Sequence, residues 1–129
     1  MTNEERRMSR SPRARGDAGA ALSQAAREYV EAHSAEKFSL QAVADALFVN
    51  GNYLLRTFKA NTGHTLLWYH NHVRCQRAKA LLSQTDRSVS QVGEDVGFVS
   101  SAHFSHVFRK MEGMTPSDYR QQVMPAERP

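Results

Sequence analysis

Residues 96–120 read VGFVSSAHFSHVFRKMEGMTPSDYR. Phe104, Val107 and Phe108 recur at three- and four-residue steps, so they form the inner stripe of a helix. Ser100 stands where that helix needs a cap. Thr115-Pro116 is a second cap with proline at the first helical position, and it opens a short last helix. Upstream, Ser88 and Gln91 have capping-box spacing ahead of Val89, Val92 and Val96. Gly97 can end that helix, because glycine accepts the left-handed conformation.

The same text occurs earlier in the chain. Phe58, Gly63, Thr65 and Tyr69 return fifty residues later as Phe108, Gly113, Thr115 and Tyr119. Leu54 matches Phe104, Lys59 matches Arg109, and Asn50 matches Ser100. Further upstream the offset is forty-nine: Ser39 with Ser88, Val43 with Val92, Leu47 with Val96. Ser39 and Asn50 therefore cap a second helix pair, with Leu40, Val43, Ala44 and Leu47, then Leu54, Thr57 and Phe58, inward.

A first helix fits about 21–33 through Leu22, Ala25, Ala26, Tyr29 and Val30, and a long one fits about 66–82 through Leu66, Tyr69, Val73, Ala78, Leu81 and Leu82. No run alternates with period two. The expectation is an all-α fold, a seven-helix bundle of two similar units (39–60 and 88–110) joined by the long linker helix. Residues 1–20 are expected to be a disordered basic tail and 123–129 a second tail, with 21–122 folded.

A capped helix after a short helix and a tight turn is the layout of a helix-turn-helix, whose second helix enters the DNA major groove. An ordinary helix pair has the same outline. Two copies favour DNA, because two recognition helices can be set ~34 Å apart, one turn of B-DNA, without a dimer.

Composition permits this without demanding it. The 129 residues carry 17 basic and 13 acidic groups, net +4. Half of that excess lies in residues 1–20, on Arg6, Arg7, Arg10, Arg13 and Arg15 less three acids. The tail can track phosphates or simply solubilise. One cysteine, no long apolar run and no apolar leader fit a cytoplasmic, nucleoid-associated protein with no membrane partner.

The stretch 96–120 resembles the signature of the AraC/XylS family of bacterial transcription factors. Val96, Gly97, Phe98, Phe104, Phe108, Arg109, Gly113, Thr115, Pro116, Tyr119 and Arg120 fit its pattern. VADALFVNGNYLLRTFKANTGHT (43–65) is similar to the family's first helix-turn-helix, and Tyr69–Arg74 with Ala78 and Leu81-Leu82 to its linker helix. The likeness covers about residues 20–122. It implies a DNA-binding regulator of transcription, commonly an activator. With only the basic tail ahead of the matching region, the chain resembles the short members of the MarA, SoxS and Rob type. That implies a monomer that binds promoter DNA and recruits RNA polymerase, with no cofactor. Two positions depart from the pattern. Phe48 stands where the first turn has glycine or another small residue, which strains the turn or changes its angle. Gly93 replaces alanine where two helices touch, which allows close approach at up to ~1 kcal/mol of helix stability.

The exposed face of the first recognition helix is expected to be Gly51, Asn52, Leu55, Arg56 and Lys59. Arg56 can grip guanine O6 and N7 with two bonds, Asn52 can pair with adenine, and Leu55 can touch a thymine methyl. The family's contacting positions fall on the same three residues. The second helix offers Ser101, Ala102, His103, Ser105 and His106, which are short or neutral and discriminate less. Lys59 and Arg109, with the caps Asn50 and Ser100, are placed against phosphate.

Rival readings are weaker. His72 and Cys75, and His103 and His106, are three apart, a spacing that can hold a metal, yet no further ligands are arranged around either pair. No glycine-rich phosphate loop or nucleophile elbow suggests an enzyme. A protein-interaction module acting on polymerase with weak non-specific DNA binding is the alternative, and the exposed Asn/Arg and Ser/His content of the paired helices argues against it.

Overall fold

The computed structural model describes residues 3–124, with side chains from residue 18 onward. Among them are seven helices and no strand: α1 (Asn3–Ala32), α2 (Leu40–Ala46), α3 (Gly51–Thr62), α4 (Leu66–Gln84), α5 (Val89–Asp95), α6 (Ser101–Glu112) and α7 (Pro116–Val123). The all-α expectation holds, and so does every cap. Ser39, Asn50, Ser88, Ser100 and Thr115 each accept a backbone N–H of the first turn of the helix they precede. Ser88 and Gln91 form the full reciprocal box. Helices α3 and α6 run two residues past the expected 60 and 110. Each then stops at a left-handed glycine, Gly63 at φ 82° and Gly113 at φ 81°.

The amino terminus departs from expectation. α1 begins at Asn3, within the stretch read as a disordered tail. The lack of an apolar stripe suggested disorder, but Glu4, Glu5, Arg6, Arg7, Met8, Ala18, Ala20, Ala21 and Leu22 are good helix formers. Pro12 has no N–H to give, so one rung of that ladder is missing. At the other end Val123 closes α7, and residues 125–129 of the expected tail lie outside the described residues.

The chain divides into two units. The first holds α1, α2, α3 and α4 as far as Tyr69. Its buried apolar side chains are Ala26, Val30, Val43, Ala44, Leu54, Phe58 and Leu66. The second holds residues 33–38, α4 from His70, and α5 to α7. Its core is Cys75, Ala78, Leu82, Val92, Val96, Phe98, Phe104, Val107 and Phe108. Phe98, Phe104, Phe108 and Tyr119 follow one another there at ring separations of 5.2, 5.7 and 5.9 Å.

The repeat is conserved in volume rather than in letters. A Cβ on Gly93 would lie 2.6 Å from Phe104 Cδ2, 2.8 Å from Cγ and 3.0 Å from Cβ. The matching positions in the first unit are Ala44 and Leu54, both buried. Small-with-large in one unit thus answers medium-with-medium in the other. Gly93→Ala should therefore cost about 1–3 kcal/mol despite its better helix propensity. Adding Phe104→Leu should recover part of that loss. A double-mutant cycle in urea measures the coupling, and simple additivity would contradict the match.

Candidate nucleic-acid interface

Recognition helix α3 buries Leu54 and Phe58, which turns the residues between them outward. Asn52, Arg56 and Lys59 are exposed, and Leu55 is 37% exposed. Leu55, Arg56 and Lys59 share a shallow apolar hollow with Ala60 and Thr65. Asn50 spends its side-chain oxygen on the N–H groups of Asn52 and Tyr53, at 2.8 and 3.2 Å, and keeps its amide N–H₂ for an outside acceptor. Gly51 is only half-exposed, because it sits against Leu40 of α2. It therefore leaves the list of exposed candidates.

Helix α6 buries Phe104, Val107 and Phe108. Ser101, Ala102, His103, His106 and Arg109 are exposed, and Ser105 is half-buried. His103 stands edge-on to Phe98 at 5.4 Å, which limits its swing. Ser100 accepts from the His103 N–H at 3.0 Å and retains a hydroxyl proton. Ser101 pairs with Ser90 at 3.2 Å.

Two exposed residues escaped the sequence reading. Tyr53, 46% exposed, lies three residues before Arg56 and so on the same face. Lys110 lies four after His106. Counting i+3 and i+4 steps from the named candidates reaches both.

Charge separates these helices from the rest. α3 contains no acid, and the one acid of α6, Glu112, is bonded to Lys79 at 3.0 Å. Arg56, Lys59, Arg109 and Lys110 have no partner among the described side chains. Most arginines elsewhere among the described side chains are occupied. Arg87 pairs with Asp95, Arg120 bonds the carbonyls of Leu82 and Thr85, and Arg77 bonds Ser34. Arg74, although buried, donates to the carbonyls of Ser34 (2.6 Å) and Glu36 (2.7 Å). The first turns of α3 and α6 carry no acid either, so no carboxylate offsets the positive ends of these helices.

One of the residues weighed for a metal belongs to the core. Cys75 is fully buried with its sulfur 4.0 Å from Met111, and burial pushes its thiol up to about 12. His70 is buried against Phe38, and burial with Arg74 beside it holds its imidazole down to about 4, hence neutral. Among the described residues no three potential ligands gather. Nor is any described helix long and apolar enough to cross a membrane.

The helix-turn-helix domain family matches residues 43–122. The HTH-type transcriptional regulator YijO of Escherichia coli is 36% identical over 102 residues, covering 79% of this chain and 36% of that one. The HTH-type transcriptional activator RhaS of Escherichia fergusonii is 38% identical over 93 residues, with 72% and 34% covered. The chain thus spans about a third of the length of these relatives. A transcriptional regulator of Chromobacterium violaceum with an AraC-type DNA-binding domain superposes with TM-score 0.78 at 31% identity, over 85% of this chain and 98% of that one. The repeat, the capped recognition helices and these likenesses converge: the chain belongs to the AraC family of helix-turn-helix, DNA-binding transcription regulators.

Proposed function

We propose that one copy of this chain binds promoter DNA through α3 and α6 in successive major grooves and activates transcription by engaging RNA polymerase. The observation that carries the reading is the set of exposed, unpaired cations on the two recognition helices, where the other arginines among the described side chains are held by the fold. RhaS, a relative, is a transcriptional activator, which supports that direction here. In this reading the protein works in the cytoplasm, on the chromosome.

Roles follow from side-chain chemistry. Arg56, Asn52 and Leu55 read bases, since the arginine fork and the asparagine amide match base edges and leucine matches a methyl group. Ser101, Ala102, His103, Ser105 and His106 make shorter-reach contacts, so α6 positions more than it reads. Asn50, Lys59, Ser100 and Arg109 hold phosphates.

Arg56→Ala tests the assignment. It should relax preference at one base pair and cost about 1–3 kcal/mol on the preferred site, with little change on unrelated DNA. Lys59→Ala should instead weaken all sequences alike and lower the salt slope by about 1. Affinity measured on matched and substituted duplexes separates them. Uniform loss for Arg56→Ala would remove it from base reading.

A further inference from the structure

Tyr69 and Tyr119 hold matching places in the repeat, and the residue after each differs: His70 in the first copy, Arg120 in the second. Arg120 spends its guanidinium on the carbonyls of Leu82 and Thr85, and an arginine does not titrate in proteins. His70, only 3% exposed, does similar work with a group whose charge depends on pH. It bonds the Glu36 backbone with one ring nitrogen and stands edge-on to Phe38 at 5.3 Å. Its Nε2 is buried with no hydrogen-bond partner. A proton there would make a buried cation with nothing to receive it.

Charge around the ring is one-sided. Arg74 adds its own positive charge from the next turn of α4. The segment 33–38 brings His33, Glu36 and Lys37; Lys37 is exposed, and the Glu36 carboxylate, 68% exposed, is turned to His33 at 2.8 Å. At the end of α1 the Glu31 carboxylate accepts the Tyr69 hydroxyl at 2.5 Å. Among the described residues no carboxylate pairs with His70. Burial first and Arg74 second therefore hold the imidazole down to about 4. The folded form favours the neutral ring, so this part of its stability is present above about 6.5 and is lost as pH falls toward 4.

The segment beside His70 backs the second recognition helix. Ala35 lies so close to Gly97 that a Cβ there would come within 2.5 Å of its carbonyl oxygen. Arg74, bonded to the carbonyls of Ser34 and Glu36, lies 5.0 Å from the Phe98 ring centroid. Phe98 in turn is 5.2 Å from Phe104 and edge-on to His103, both on α6. Residues 33–38 thus support the turn from which α6 starts.

We propose that His70 is an acid-operated latch: a proton on Nε2 drives residues 33–38 off the second unit, loosens the turn at Gly97 and Phe98, and takes α6 out of its reading position, so that the chain releases DNA in acid. The latch rests on the packing of the second unit. The release of DNA rests on the regulator reading given above.

The test uses the full chain and a duplex bearing its binding site. Two variants serve as references: His70→Phe keeps a ring and takes no proton, and His70→Asn keeps a donor for the Glu36 carbonyl. Amide hydrogen exchange gives protection factors, and equilibrium binding gives affinity, across the acid range. In the wild type, protection of residues 33–38 and 97–104 should fall about fivefold to tenfold between pH 6 and 5, while the amides of α2 and α3 hold. Both variants should lack that fall. Wild-type affinity relative to the variants should drop by roughly fivefold or more from pH 7 to 5. The exposed His103 and His106 titrate in all three chains, so the ratio removes their effect. Wild-type protection that holds from pH 6 to 5 would overturn the inference, and so would an equal fall in both variants. A fall shared by α2 and α3 would overturn it as global unfolding. Protection that falls with no change in relative affinity would overturn the release of DNA. A wild-type chain that binds no site at pH 7 would instead overturn the regulator reading, and the protection factors would still decide the latch.

Discussion

Gly97→Ala is expected to destabilise the second unit by about 3–5 kcal/mol, the sum of a strained backbone and a steric conflict. Gly97 has φ 109°, where a side chain is rarely tolerated. The added Cβ would also lie 2.5 Å from the carbonyl oxygen of Ala35 and 2.8 Å from its carbonyl carbon and Cα. Those are backbone atoms of the segment that Arg74 pins on either side, at Ser34 and Glu36. Rotation of a neighbouring side chain cannot relieve the clash. Urea denaturation should show the loss as a lower midpoint. The comparison is Phe48, the same position in the first unit, where the exposed ring meets nothing. There Phe48→Gly should gain roughly 1 kcal/mol. A Gly97→Ala variant as stable as the wild type would refute the packing described around Ala35.

Arg74→Leu is expected to cost about 2–4 kcal/mol. The guanidinium makes two charge-assisted bonds to backbone carbonyls and lies 5.0 Å from the Phe98 ring centroid. Leucine fills part of the volume but takes a donor from each carbonyl, and an unmet acceptor at the buried Ser34 carries the larger penalty. No acid among the described residues pairs with it, and burial lowers the guanidinium pKa, so the stabilisation comes from the carbonyls rather than from an ion pair. Arg74→Lys should keep part of the stability, because one ammonium lacks the fork that reaches both oxygens. Thermal midpoints of the two variants check this. Equal stability of Arg74→Leu and wild type would mean the carbonyls find other donors.

These two sites mark where the sequence stops being legible. Helix caps are local: Ser39, Asn50, Ser88, Ser100 and Thr115 act within three residues, and each is readable from its neighbours. The inner stripes of α3 and α6 are equally local. Arg74 meets carbonyls 38 and 40 residues away, and nothing in its own stretch separates a buried arginine from a solvated one. The Gly97–Ala35 contact is hidden for the same reason, whereas the departures at Phe48 and Gly93 are visible because the family pattern supplies a reference. Residues 3–20 failed differently. Periodicity reports an apolar stripe, and this part of α1 has none: where it packs, Gly19 lies against Thr57 and Asn61 with no side chain of its own. At the candidate interface the recognition helices were found by pattern. The omission of Tyr53 and Lys110 came from stopping the face too narrowly.

The central claim is that a single chain reads DNA with two helices. Selection of random duplexes by the purified protein at two salt concentrations tests it directly. The expected result is enrichment of one asymmetric site, with two blocks about 10 bp apart, recovered at both salts and bound by one copy. Binding that enriches no sequence and vanishes steeply with salt would contradict it, leaving a contact made to phosphate alone.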